Sequence, residues 1–204
     1  MSDGPAPVLA AEVIRWSWVG DHLDDIRDYL FQHVQLTVLA VLLGLLLAFP
    51  LSLAAIRWPR LYGPILGFTG MLFTIPSLAL FILLILVRNM VEGLRGVDHD
   101  VREAAQAMGY TRARQLFQVE LPLALPVIMA GVRIATVTTI GLVTVTVLIG
   151  QGGLGRLFID GFTLNFTTPI VVGIVLSALL AFAADLTLVV VQHRLTPWAR
   201  SRGR

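Results

Sequence analysis

Residues 34–56 read VQLTVLAVLLGLLLAFPLSLAAI, a run without one charged side chain. At about 1.5 Å of rise per residue, a helix of this length crosses a ~30 Å hydrocarbon core. Three more stretches have the same character. Residues 126–149 carry only Arg133, residues 169–191 carry only Asp185, and residues 61–87 are uncharged but punctuated by Pro64, Gly67, Gly70 and Pro76. A soluble core has no use for four such runs. In lipid the helix satisfies its own backbone, so the sequence predicts an all-α integral membrane protein.

Composition agrees and excludes much else. Apolar residues make up 56% of the 204 positions, mean hydropathy is +0.82, and only 14% are charged, against about 25% in an ordinary soluble chain. All 15 basic residues are arginine. With no lysine there is no P-loop ATPase and no Schiff-base chemistry. With no cysteine there are no disulfides, thiolate zinc sites or cysteine nucleophiles.

Arginine placement sets the expected topology, because cytoplasmic loops of membrane proteins are enriched in basic residues. Arg57 and Arg60 follow the first run; Arg88, Arg95, Arg102, Arg112 and Arg114 lie between residues 87 and 126; Arg194, Arg200, Arg202 and Arg204 close the chain. The first 33 residues set Arg15 and Arg27 against six acidic side chains. The amino end and the 150–168 loop are therefore expected outside the cell membrane, and the carboxyl end inside. Within residues 1–33, Leu23, Ile26 and Leu30 form one face of an amphipathic helix over 21–32, with Trp16 and Trp18 at the interface. A transmembrane domain over 34–193 and a basic cytoplasmic tail over 194–204 follow.

The arrangement carries a contradiction. Arg57/Arg60 and Arg88/Arg95 belong on one side, yet the 27 uncharged residues between them are too few for two crossings, which take about 40. An outside start and inside end also need an odd number of crossings, and four runs are present. The chain is expected to lack about 20–35 residues near 80–87; a re-entrant segment bent at Pro76 is the alternative.

Residues 98–125 read as a helical hairpin between spans. Asp98 or Asp100 caps a helix through residues 101–108, Gly109 suits a left-handed stop, Thr111 caps a second helix, Pro122 ends it and Pro126 opens the next span. Glu103, Ala104 and Ala105, then Gly109, Val119, Leu121 and Pro122, resemble the EAA motif of binding-protein-dependent ABC importer permeases, with valine where isoleucine is usual. That resemblance implies a type I importer fold with five spans, and an EAA loop that docks in a cleft of a cytoplasmic ATPase. Residues 74–81, 120–133, 148–155 and 32–37 are similar to the osmoprotectant branch, which imports glycine betaine, choline or carnitine. The resemblance runs from Tyr29 to His193, and it breaks where relatives have an outer loop and another span, between Phe81 and Leu86.

The resemblance implies a permease with no chemistry and no cofactor of its own, ATP being bound by a partner ATPase dimer. A second permease subunit, identical or related, and an extracytoplasmic binding protein complete the assembly; nucleic acid has no part. The binding protein holds the recognition cage. The alternatives are a permease of the same fold for another solute such as an amino acid, and a membrane protein that does not transport.

Two charges inside spans are costly alone, and counting from the helix ends puts Arg133 and Asp185 at similar depth, a candidate intramembrane ion pair. Thr136, Thr139 and Thr144 are candidates to line a polar path, with helix packing as the competing reading. His22, His33, His99 and His193 lack metal spacing and read as interfacial or loop residues. Residues 150–155 match Gly-x-Gly-x-x-Gly, but no acidic ribose partner stands near residue 170, so they read as a glycine-rich turn.

Overall fold

The computed structural model describes residues 14–72, 78–150 and 152–199. Among them are nine α-helices and no strand: α1 Trp16–Asp21, α2 Leu23–Arg57, α3 Tyr62–Leu72, α4 Leu78–Arg95, α5 His99–Ala107, α6 Arg112–Gln115, α7 Leu121–Val145, α8 Gly155–Thr163 and α9 Thr167–Leu195. Three helical stretches are long and apolar enough to cross a membrane: Leu23–Arg57, Arg112–Leu148 and Thr167–Leu195. The helix expected over 21–32 does not stand apart. It forms the first turns of α2 and continues without a break into the first span.

The core is where α4 lies against α2 and α7. Ile82, Leu86, Val87, Val91 and Leu94 from α4 meet Ala48 and Ala55 from α2 and Ala124 and Ala135 from α7, all nearly or wholly buried. Small residues at these crossings let the helices approach closely, which is how helices associate when lipid gives no hydrophobic drive. Gly131 of α7 shows how close: a Cβ there would overlap the Cβ of Asn89, an atom fixed to the α4 backbone. Gly131→Ala should therefore destabilise the bundle by about 1–3 kcal/mol, read as a lower unfolding midpoint in detergent. Gly141→Ala is the control. Nothing lies within 4 Å of a Cβ at Gly141, so that variant should hold or gain stability.

The run 61–87 is not one span. It forms α3, of 11 residues, and the start of α4, with 73–77, including Thr74, Ile75, Pro76 and Ser77, outside the described residues. The Arg95 guanidinium at the end of α4 lies 4.2 Å from the ring centroid of Tyr62 at the start of α3, so the two helices form an antiparallel hairpin with both open ends at one end of the bundle. An 11-residue helix spans only about 16 Å. The uncharged part of α4, residues 78–87, spans about 15 Å before the exposed Arg88–Glu92 pair at 2.9 Å. Each is about half the length that a ~30 Å core requires. Among the described residues, three helices are long and apolar enough for a full crossing, and α3 and the uncharged part of α4 are each too short for one.

Pro122 does not end the second helix of the EAA hairpin. Helix α6 passes through a π-helical segment, Leu116–Glu120, directly into α7. Leu121 N–H reaches back to Leu116 C=O, five residues away. The wider turn ends where Pro122, which has no N–H to offer, enters at the start of α7, so proline sits in an unbroken helix.

Candidate functional site

Local interactions build the EAA hairpin. Asp98 accepts from Asp100 N–H at 3.1 Å and caps α5. The helix closes through Met108 N–H to Ala104 C=O and Tyr110 N–H to Ala105 C=O. Between them Gly109 has φ +78°, a left-handed position that a side chain other than glycine's occupies at a cost. Thr111 caps α6 by accepting from Arg114 N–H at 3.4 Å. Ala105 is 1% exposed and packs inward, whereas Glu103, Ala104 and Met108 face out. Leu121 packs against the main core, and half-buried Pro122 lines a shallow recess with Trp198. The motif residues thus divide into an outward face on α5 and an anchor at the root of α7.

Three polar residues outside the motif stiffen this hairpin. The Arg102 guanidinium donates to Leu94 C=O at the end of α4 and lies 3.8 Å from the Glu120 carboxylate. Gln115 donates to the same carboxylate at 2.8 Å. Helix α5 is therefore tied to the end of α4 and to the segment that leads into α7. In the sequence, Arg102 and Gln115 carry no motif signal.

Residues 85–197 match the family described as binding-protein-dependent transport system inner membrane component. The chain belongs to this family. It is 35% identical over 193 residues to the choline transport system permease protein OpuBB of Bacillus subtilis, covering 84% of this chain and 89% of that one. It is 33% identical to the glycine betaine/carnitine/choline transport system permease protein OpuCB of the same organism, over 81% and 86% of the two chains. The osmoprotectant import permease protein OsmW of Salmonella typhimurium is 34% identical, over 87% and 94%. In fold the chain resembles the inward-facing MetNI methionine ABC transporter, with TM-score 0.73 at 17% identity over 81% and 94% of the two chains. The OpuBB alignment spans 193 residues but uses 84% of these 204, about 171, so about 22 residues have no counterpart here, roughly the length of one crossing helix.

In this permease α7 and α9 meet through Arg133 and Asp185. Nε donates to Oδ1 at 2.8 Å and an Nη to Oδ2 at 2.9 Å, a two-pronged pair with each side chain one third exposed. Neither charge then faces an apolar neighbour alone. Asp185→Asn should lower the unfolding midpoint in detergent, and adding Arg133→Gln should cost less than its effect alone. Strict additivity of the two would remove the coupling.

The three candidate path threonines all bond to their own helix: Thr136 to Val132 C=O, Thr139 to Ala135 C=O and Thr144 to Gly141 C=O. Thr139 has no exposed surface, so in this conformation it serves packing rather than a path. His99, Asp100 and Glu103 bring one ligand atom each within 4.8 Å of one another, but all three are exposed, with His99 and Glu103 already paired at 3.4 Å.

His33 is not an interfacial residue; it has no exposed surface. Leu154 N–H donates to its Nδ1 at 3.2 Å, which leaves the ring hydrogen on Nε2, 3.0 Å from Ile140 C=O. Beside it Gln32 Oε1 accepts from Gly153 N–H at 2.9 Å. The glycine-rich turn is therefore clamped to α2 by its own amides, and carries α8 with it. A Cβ on Gly152 would meet the Gln32 amide oxygen, so a larger residue there would have to displace the side chain that holds Gly153; Gln151 lies outside the described residues.

Proposed function

We propose that the chain is a transmembrane subunit of an ATP-driven importer of osmoprotectants, small quaternary amines of the glycine betaine, choline and carnitine kind. The observation that carries this reading is that relatives about one third identical along more than four fifths of the chain are named for those solutes. The outward face of α5, with Glu103 and Ala104 ahead of the Gly109 turn, docks in a partner ATPase dimer. Closure of the ATPases rocks the crossing helices between inward- and outward-open states. The arginine distribution supports an amino end outside and a carboxyl end in the cytoplasm. A second permease subunit forms the other wall of the path, and an extracytoplasmic binding protein selects the solute.

The shortfall of about one span favours a second reading, in which this chain assembles with the ATPase but does not transport by itself. One experiment separates the two. The chain is produced with its ATPase and binding protein in a strain unable to take up quaternary amines, and accumulation of labelled choline and glycine betaine is measured. Uptake above the empty strain supports the importer. Co-purification of the ATPase without uptake supports the second reading, and absence of any ATPase association defeats both.

A further inference from the structure

We propose that the groove between the end of α2 and the α5–α6 hairpin holds the headgroup of an anionic phospholipid, with its phosphate on Arg57 and Arg112. The inference rests on the reading that this end of the bundle faces the cytoplasm. The groove is open to the surface, with a volume of about 670 Å³, and both arginines line it. Neither guanidinium has a hydrogen bond or ion pair to another described residue. Glu120 also lines the groove, but its carboxylate is engaged by Gln115 and faces Arg102. The charge left without a partner is positive.

The other walls fit a lipid rather than a soluble anion. Leu53 and Ile56 belong to the apolar run of α2, so the groove has an apolar wall beside its two arginines. Trp58, 56% exposed at the mouth, stands where α2 emerges, the level at which indoles sit among headgroups. A guanidinium offers phosphate a planar fork of donors, and basic pockets between helices on the cytoplasmic side take anionic headgroups. An acidic segment of the ATPase would satisfy the arginines but has no use for the apolar wall.

The test uses the purified full chain in detergent, with retained lipid read by native mass spectrometry. The probes are phosphatidylglycerol, phosphatidylcholine and inorganic phosphate. Phosphatidylglycerol should be held in preference to phosphatidylcholine, and Arg57→Gln with Arg112→Gln should weaken its retention about thirtyfold, as expected for losing two charges at an anionic surface. Arg60→Gln, one turn on and outside the groove, should change little. Equal retention of the two lipids, or unchanged retention in the double variant, overturns the proposal. Displacement of the lipid by inorganic phosphate alone overturns its lipid character. Loss of ATPase co-purification in the double variant with lipid retention intact makes the groove a protein dock instead. The orientation is tested separately by Trp58→Cys in this cysteine-free chain. Labelling by an impermeant maleimide from the cytoplasmic side upholds it, whereas labelling from outside defeats the functional topology and leaves the lipid measurement standing on its own.

Discussion

Gly109→Val should reduce coupled uptake by about ten- to a hundredfold while the subunit still inserts and folds. The backbone at Gly109 has φ +78° and a Cβ there would meet nothing within 4 Å. The obstacle is conformational rather than steric contact: a β-branched residue held left-handed costs about 1–3 kcal/mol. The cheapest escape is for the turn to open, which swings Glu103 and Ala104 away from the arrangement set by α6. Each 1.4 kcal/mol moved against the docking-competent turn lowers its population about tenfold. The spans and their core lie elsewhere, so membrane yield and unfolding midpoint should stay near those of the parent. Gly109→Asn tolerates this region better and should recover part of the uptake. Normal uptake by Gly109→Val would remove the hairpin from the coupling path.

His33→Ala should cost about 2–4 kcal/mol. The ring is wholly buried and joins three elements: α2, which carries it, Ile140 of α7 and Leu154 of the glycine-rich turn. Removing it leaves a cavity, an unpartnered Leu154 N–H and a released Ile140 C=O at once. The turn should loosen before the bundle does. Hydrogen exchange at the Leu154 amide should therefore accelerate under conditions where exchange in the core of α4 is unchanged. Gln32→Ala removes one bond to Gly153 and should cost about 1 kcal/mol. Slow exchange at Leu154 in His33→Ala would show that the turn is held by packing instead.

How legible each feature is follows from how local its cause is. The EAA hairpin can be read residue by residue because its caps act over two or three positions, Asp98 to Asp100 and Thr111 to Arg114. Arg133 and Asp185 point to each other because a lone charge in an apolar span has few other ways to exist. Pro122 misleads because its usual effect assumes an α-helical turn behind it, and the π segment over residues 116–120 changes that turn. His33 misleads for another reason. Its partners are a carbonyl and an amide, 107 and 121 residues away, and backbone groups leave no mark on composition.

From the sequence alone came the membrane class, the hairpin with its caps and the conclusion that residues 61–87 are too few to cross twice. Hydropathy and charge are properties of positions along a line, and transfer free energy into lipid is nearly additive along that line. How α3 lies against α4, how Arg102 ties α5 to α4 and to Glu120, and how Gln32 and His33 hold the turn before α8 were decided only in three dimensions. Those features depend on helices meeting at Gly131 and on backbone groups finding side chains far away in sequence. Close approach is a property of pairs of surfaces, and no one-dimensional pattern contains it.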